Sequence, residues 1–147
     1  MKSIAFYAGS FDPVTVGHVD IVRRACRMFD RVVVAVGVNS DKKSFLPLDE
    51  RLDRLRKAFA AFPQVEVASY EGLTVDACRK YGARVLVRGV RNASDWDAEQ
   101  NIAFVNRRLA PDIETLLLPA DDALVHVSSS NVREILRHGG DVSDFLP

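Results

Sequence analysis

The chain has 147 residues, of which 48% are hydrophobic, and 20 basic residues balance 20 acidic ones, so its formal net charge is zero. That size suits one domain with a real core. The neutral balance argues against a nucleic-acid binder or a polybasic membrane binder, though not against a local pocket for a small anion. Cys26 and Cys78 stand far apart in no metal-like spacing and read as reduced thiols. The opening MKSIAFYAGS is too short in its apolar run for a signal segment, and no run reaches the length of a membrane span. A soluble cytoplasmic protein of residues 1–147, without nucleic-acid or membrane partners, is the expectation.

Buried strands are predicted at Ile4 to Tyr7, Val32 to Val36, Val65 to Val67, Val85 to Val87 and Glu114 to Leu118. They are rich in Val, Ile and Leu and mostly lack alternation, as strands of a parallel sheet covered on both faces do. Between them lie helical patterns. Val19 to Met28 places Ile21, Val22, Ala25 and Met28 on one side, and Asp49 to Phe62 places Leu52, Leu55, Ala58, Phe59 and Phe62 on one stripe. Thr74 to Tyr81 stops at Gly82, Ala98 to Leu109 stops before Pro111, and Ser129 to Arg137 stops before Gly139-Gly140. Strand and helix alternate throughout, which predicts an α/β fold with a doubly wound parallel sheet.

In such a sheet, ligands bind outside the carboxyl ends of the strands. The unusual residues fall in the loops that follow those ends: GSFDPVTVGH, NSDKKSF, EGLT, RGVRN and VHVSSSNVR. In the first, Gly9 allows a sharp turn, Ser10 offers a hydroxyl, and His18 falls in the first turn of a helix, where free amides and the dipole favour an anion. Lys42 and Lys43 can reach a phosphate as point charges or stand in a solvated turn. Arg88 and Arg91 flank Gly89 and suit bidentate oxyanion binding. Glu99 is placed at a helix start, where it can bond a ribose, orient an arginine or act as a dipole partner, as Asp97 does. Ser128, Ser129 and Ser130 can cradle phosphate or simply cap a helix. Arg133 reads as a surface residue or a loop anchor, His126 as structural or at the pocket edge, and His138 as a dipole partner.

These residues resemble a known family. Thr15-Val16-Gly17-His18 is similar to the (T/H)xGH signature of the nucleotidyltransferase superfamily, and Ser128-Ser129-Ser130-Asn131-Val132-Arg133 to its second, serine-rich signature. Within the superfamily the resemblance is to the bacterial phosphopantetheine adenylyltransferases, through YAGSFDPVTVGHVDIV, SDKKSF, VRGVRNASDWDAEQNIAFVNRRL and DVSDFLP, and it runs from Ile4 to the end. It implies a Rossmann-like fold, a homohexamer, and adenylyl transfer from ATP to 4′-phosphopantetheine with Mg²⁺ held mainly through ATP. Coenzyme A is implied as a feedback ligand. Ser10, Phe11, His18, Gly89, Val90, Arg91, Glu99 and the loop of Leu124, Val125, His126, Val127, Ser128, Ser129 and Ser130 would bind ATP. Ser10, Lys42, Thr74 and Arg88 would bind the acceptor, and His18, Lys42 and Arg91 would carry catalysis. The chain departs from the family pattern at Ala8, Ser10, Val16, Leu124 and His126. A related nucleotidyltransferase with another acceptor, such as nicotinamide mononucleotide, and a non-catalytic nucleotide-binding module are the alternatives.

Overall fold

The computed structural model describes residues 2–147. Five strands, β1 (Ile4–Gly9), β2 (Arg31–Gly37), β3 (Val65–Tyr70), β4 (Val85–Val90) and β5 (Glu114–Pro119), form one parallel sheet in the order β3-β2-β1-β4-β5. The helices are α1 (Val16–Ala25), α2 (Leu48–Ala58), α3 (Thr74–Lys80), α4 (Ala93–Leu109) and α5 (Ser129–Arg137), with a 3₁₀ turn at Asp122–Leu124. Strand order reverses between β1 and β4, which places a switch point at the carboxyl ends of the two central strands.

The alternation of β1 explains why both faces are covered. Ala5 and Tyr7 point into one core with Val22 and Ala25 of α1 and Leu55 of α2. Phe6 and Ala8 point into the other with Val75, Ala77 and Cys78 of α3 and Ala110 and Ile113 beyond α4. Val32 to Val36 of β2 are all fully buried, so this strand shows no polar alternation. The Rossmann-like, doubly wound five-stranded sheet expected from the sequence is the architecture observed.

Element ends differ from the sequence expectations in ways that matter for the site. α1 starts at Val16, three residues early, because Thr15 caps it. α2 ends at Ala58, leaving Phe59 and Phe62 to pack edge to face in the following turn. α4 starts at Ala93, five residues early, since the Asn92 side chain accepts from the Asp95 amide. Glu99 is therefore not at a helix start. It lies in the second turn, where its carboxylate can face the sheet, and Asp95 holds the first-turn position.

Candidate active site

The first connection is shaped by burial and by two turns of unusual backbone. Phe11 has a positive φ of 46°, and the Asp12–Pro13 peptide is cis. The turn folds the Phe11 ring back under the chain, where it is 2% exposed. A Cβ on Gly9 would stand 3.2 Å from that ring, so the close approach requires glycine there. Phe11 meets the His18 imidazole edge to face, with ring centroids 4.9 Å apart. Phe11 thus buttresses the histidine from below.

His18 is held by a reciprocal cap. The Thr15 amide donates to its Nδ1 at 3.0 Å, and the His18 amide donates to Thr15 Oγ1 at 3.4 Å. An Nδ1 that accepts carries no proton, so a neutral ring has its hydrogen on Nε2. The ring is neutral: burial, together with the nearby Arg88 and Arg91 charges, lowers its pKa from 6.5 to about 4. The structure therefore presents a fixed Nε2–H donor on the wall of a cavity of about 320 Å³.

Two arginines on or after β4 share that cavity, each clamped by an acid of α4. Arg88 Nε and Nη2 donate to the Glu99 carboxylate at 2.9 and 2.6 Å, and its Nη1 donates to the Ala8 carbonyl. Burial works against its charge, but the Glu99 partnership outweighs this and holds the pKa above the ordinary guanidinium value. Arg91 Nε and Nη2 donate to Asp95 at 2.9 and 3.3 Å. Both clamps leave guanidinium N–H groups over for a ligand, since arginine has five. Of the readings open for Glu99, the structure supports the arginine-orienting one.

The serine loop closes the opposite wall. Ser128 caps α5 by accepting from the Asn131 amide, and Ser129 Oγ donates to the Pro13 carbonyl at 2.7 Å. Arg133 Nη1 donates to the Asp12 carbonyl at 2.8 Å, which makes it the loop anchor rather than a free surface residue. The Phe145 carbonyl accepts from the Val16 amide at 2.9 Å, and the His126 ring packs on Phe145. His126 stands outside the cavity lining, Val125 is exposed, and Val90 is buried in the sheet.

Two further cavities adjoin the first. One, of about 300 Å³, is lined by Thr74, Tyr70, Leu86, Ile102 and Asn106 and shares Ser10, Arg88 and Glu99 with the first. The other, of about 440 Å³, is lined by Lys42, Lys43, Arg51 and Arg137 and shares Ser10 and Arg133. The structure thus brings Ser10, Phe11, His18, Arg88, Gly89, Arg91, Glu99, Leu124, Val127, Ser128, Ser129 and Ser130 together. Thr74 and Lys42 lie in the neighbouring cavities, with Ser10 common to all three. Tyr7, Asp95 and Ile21 also line the main cavity and were not expected from the sequence. The Asn92-to-Asp95 spacing, a cap residue three before an acid, is the signal that could have found one of them.

Among the described residues no group of three acids, histidines or cysteines could hold a metal ion. The two acids on the cavity wall are both engaged with arginines. The residues present do not form a protein-built cation site.

Residues 6–135 match the family described as cytidylyltransferase-like. A protein of Leptospira biflexa named phosphopantetheine adenylyltransferase is 46% identical over 147 residues, covering 100% of this chain and 92% of that protein. One of the same name from Thioalkalivibrio sulfidiphilus is 49% identical, covering 99% and 92%. A Vibrio parahaemolyticus crystal structure, provisionally named as a nicotinate-nucleotide adenylyltransferase, superposes with a TM-score of 0.71 at 20% identity, covering 99% of this chain and 94% of that one. At that identity the likeness speaks for the fold. With the sequence kinship running the whole length of the chain, the protein belongs to the cytidylyltransferase-like family and, within it, to the phosphopantetheine adenylyltransferases.

Proposed function

We propose that the protein transfers the adenylyl group of ATP to 4′-phosphopantetheine, giving dephospho-coenzyme A and pyrophosphate. The observation that carries this reading is the convergence of three cavities on Ser10, with the neutral His18 donor and the Arg88 and Arg91 clamps lining one of them and Arg88 shared with a second. The 46–49% identity to proteins of that name supports it.

An oxygen of the acceptor phosphate attacks the α-phosphorus of ATP. The bond from that phosphorus to the bridging oxygen breaks, and pyrophosphate leaves with the electron pair. The acceptor is already ionised, so no general base is needed, and catalysis comes from positioning and charge stabilisation. His18 Nε2–H donates to an α-phosphate oxygen. Arg91 and the Ser128 to Ser130 loop hold the departing side, with Ser10, Phe11, Gly89, Glu99, Leu124 and Val127 forming the rest of the nucleotide site, while Val90, Val125 and His126 stand outside it. Lys42, Arg88, Thr74 and Ser10 hold the acceptor. The adjoining cavity of Tyr70, Leu86, Ile102 and Asn106 offers apolar walls and one amide, which suits a pantetheine arm. Mg²⁺, held mainly through the nucleotide's own oxygens, would neutralise phosphate charge there.

Coenzyme A, which carries the same pantetheine arm, would compete for that adjoining cavity as a feedback ligand. A homohexamer is supported by the apolar side chains that α4 leaves uncovered, Trp96, Phe104, Val105 and Leu109, each about half exposed. Cytoplasmic placement accords with the substrates, and among the described residues no helix is long and apolar enough to cross a membrane. The test is pyrophosphate release from ATP and Mg²⁺ with 4′-phosphopantetheine, with nicotinamide mononucleotide, and with no acceptor. Release with the first alone supports the reading. Release with the second alone replaces it with a related transferase, and ATP binding without release replaces it with a non-catalytic module.

A further inference from the structure

We propose that Tyr7 is a substrate-contacting residue, its phenolic O–H donating a hydrogen bond to a phosphate oxygen of the nucleotide bound beside His18. The nature of the ligand rests on the adenylyl-transfer reading; the opening of the hydroxyl onto the cavity does not.

Tyr7 stands on β1 two residues before Gly9, and it is 6% exposed. Its ring packs edge-on against Phe11, with centroids 5.3 Å apart, and lies 6.2 Å from the His18 ring. A phenylalanine would satisfy that packing equally well. The hydroxyl is the part that needs a reason, because a buried hydroxyl without a partner costs about 1–3 kcal/mol.

Among the described residues the Tyr7 hydroxyl makes no hydrogen bond to protein, unlike that of Tyr70, which pairs with Thr74. Yet Arg51 Nε is the one buried side-chain polar atom that is both sealed from solvent and unpartnered. The Tyr7 oxygen is therefore not sealed. The open space that Tyr7 borders is the nucleotide-side cavity, since it lines neither of the other two. A side chain more than nine-tenths buried thus ends in an unpartnered hydroxyl on the cavity that holds His18, Arg88 and Arg91.

Burial is the largest influence on the phenol and raises its pKa to about 12, with Arg88 pulling the other way and Glu99 adding to the rise. The group is a neutral donor at any physiological pH. Glu99 and Asp95 are taken up by the arginines, so in a cavity that draws an anionic ligand the phosphate oxygens are acceptors open to this O–H. Both substrates carry phosphate. The neighbouring His18 and Phe11 place the hydroxyl on the nucleotide side.

The isosteric Tyr7→Phe variant removes the oxygen alone. It should keep or slightly raise the wild-type unfolding midpoint while kcat/KM for ATP falls roughly tenfold to a hundredfold, the ordinary effect of losing a hydrogen bond to a charged group. The second measurement does not need turnover. The protein has three tyrosines, Tyr7, Tyr70 and Tyr81. With ¹³Cζ-labelled tyrosine, the NMR resonance missing from Tyr7→Phe identifies residue 7. ATP alone should move it, and 4′-phosphopantetheine alone should leave it in place. A Tyr7→Phe enzyme within twofold of wild type overturns the proposal. So does a resonance that ATP does not move, or one that only the acceptor moves. If the wild type turns over no acceptor, the functional reading fails while the resonance shift still decides the contact.

Discussion

Replacing His18 by alanine removes a neutral donor from the cavity it shares with Arg88 and Arg91. The side chain does two separate things. Its Nδ1 accepts from the Thr15 amide at 3.0 Å, closing the α1 cap, and its Nε2–H faces the cavity. Loss of the donor should cost roughly 2.7–4 kcal/mol of transition-state stabilisation, or ~10²–10³ in kcat, as for other preorganised oxyanion donors. Loss of the acceptor leaves one amide short of a partner, at about 1–3 kcal/mol of stability. The pH dependence of folding separates the two. Folding lowers the imidazole pKa from 6.5 to about 4, so the unfolded chain binds the proton more tightly. The wild type should hold its stability above pH 6.5 and lose it as pH falls from about 6.5 through about 4. The full loss amounts to about 3 kcal/mol, an upper bound because His18 keeps some contact with cavity water. The variant should show a shallower loss over the same window. Pyrophosphate release at saturating substrates measures kcat, and urea unfolding from pH 7.5 to 4 measures stability. A variant keeping more than about a tenth of wild-type kcat caps the donor's contribution near 1.4 kcal/mol and refutes the role. An unchanged pH slope refutes the buried neutral ring.

Glu99→Gln keeps the shape but turns an NH₂ toward the Arg88 guanidinium. It should cost about 2 kcal/mol in urea unfolding and raise KM for the acceptor more than for ATP, and equal effects on both would dissociate the clamp from acceptor binding. Asp12 is 6% exposed, and its carboxylate accepts from the Phe45 and Leu46 amides at 2.7 and 2.8 Å. Asp12→Ala should therefore lose about 3 kcal/mol and expose the Lys42-bearing loop to faster amide exchange, and exchange equal to wild type would show that the loop does not depend on it. At Gly89 a Cβ would stand 3.1 Å from Ile21 Cγ1 and 3.2 Å from Cδ1. Gly89→Ala should cost about 1–3 kcal/mol by overpacking, and Ile21→Val in the same chain should recover part of it, because valine lacks the Cδ1. No recovery would place the strain elsewhere.

The layout of the sheet was legible because fully buried parallel strands announce themselves as unbroken Val and Leu runs, as in Val32 to Val36. Their carboxyl ends were less so. β1, β3 and β4 each run two or three residues past the apolar stretch, through Ala8-Gly9, Ala68-Ser69-Tyr70 and Arg88-Gly89-Val90. Hydrogen bonding to a neighbouring strand carries them on where hydrophobicity no longer does. The loops that gather at the rim were visible as polar insertions, and most of their residues do meet. Lys42 shows the limit, since a lysine in a turn carries no mark of which cavity it enters. Tyr7 shows another, since an aromatic in a strand reads as core until its hydroxyl is found without a partner. Asp95 carried no mark of a role because a helix start at Ala98 leaves it outside α4, whereas the Asn92 cap puts it in the first turn.

The position of Arg88 ties together the cavities proposed for the acceptor and the nucleotide. It sits on β4 at the switch point, reaches across to the Ala8 carbonyl at the end of β1, and is gripped by Glu99 from α4. The same guanidinium lines both the His18 cavity and the Tyr70–Thr74 cavity. A residue tied to both central strands cannot shift toward one substrate without disturbing the end of β1, from which Ser10 and the Phe11 turn depart. The wall common to the two cavities is thereby set by the sheet itself. That arrangement suits a reaction whose barrier is lowered by fixed placement of two phosphates, with no proton to be moved.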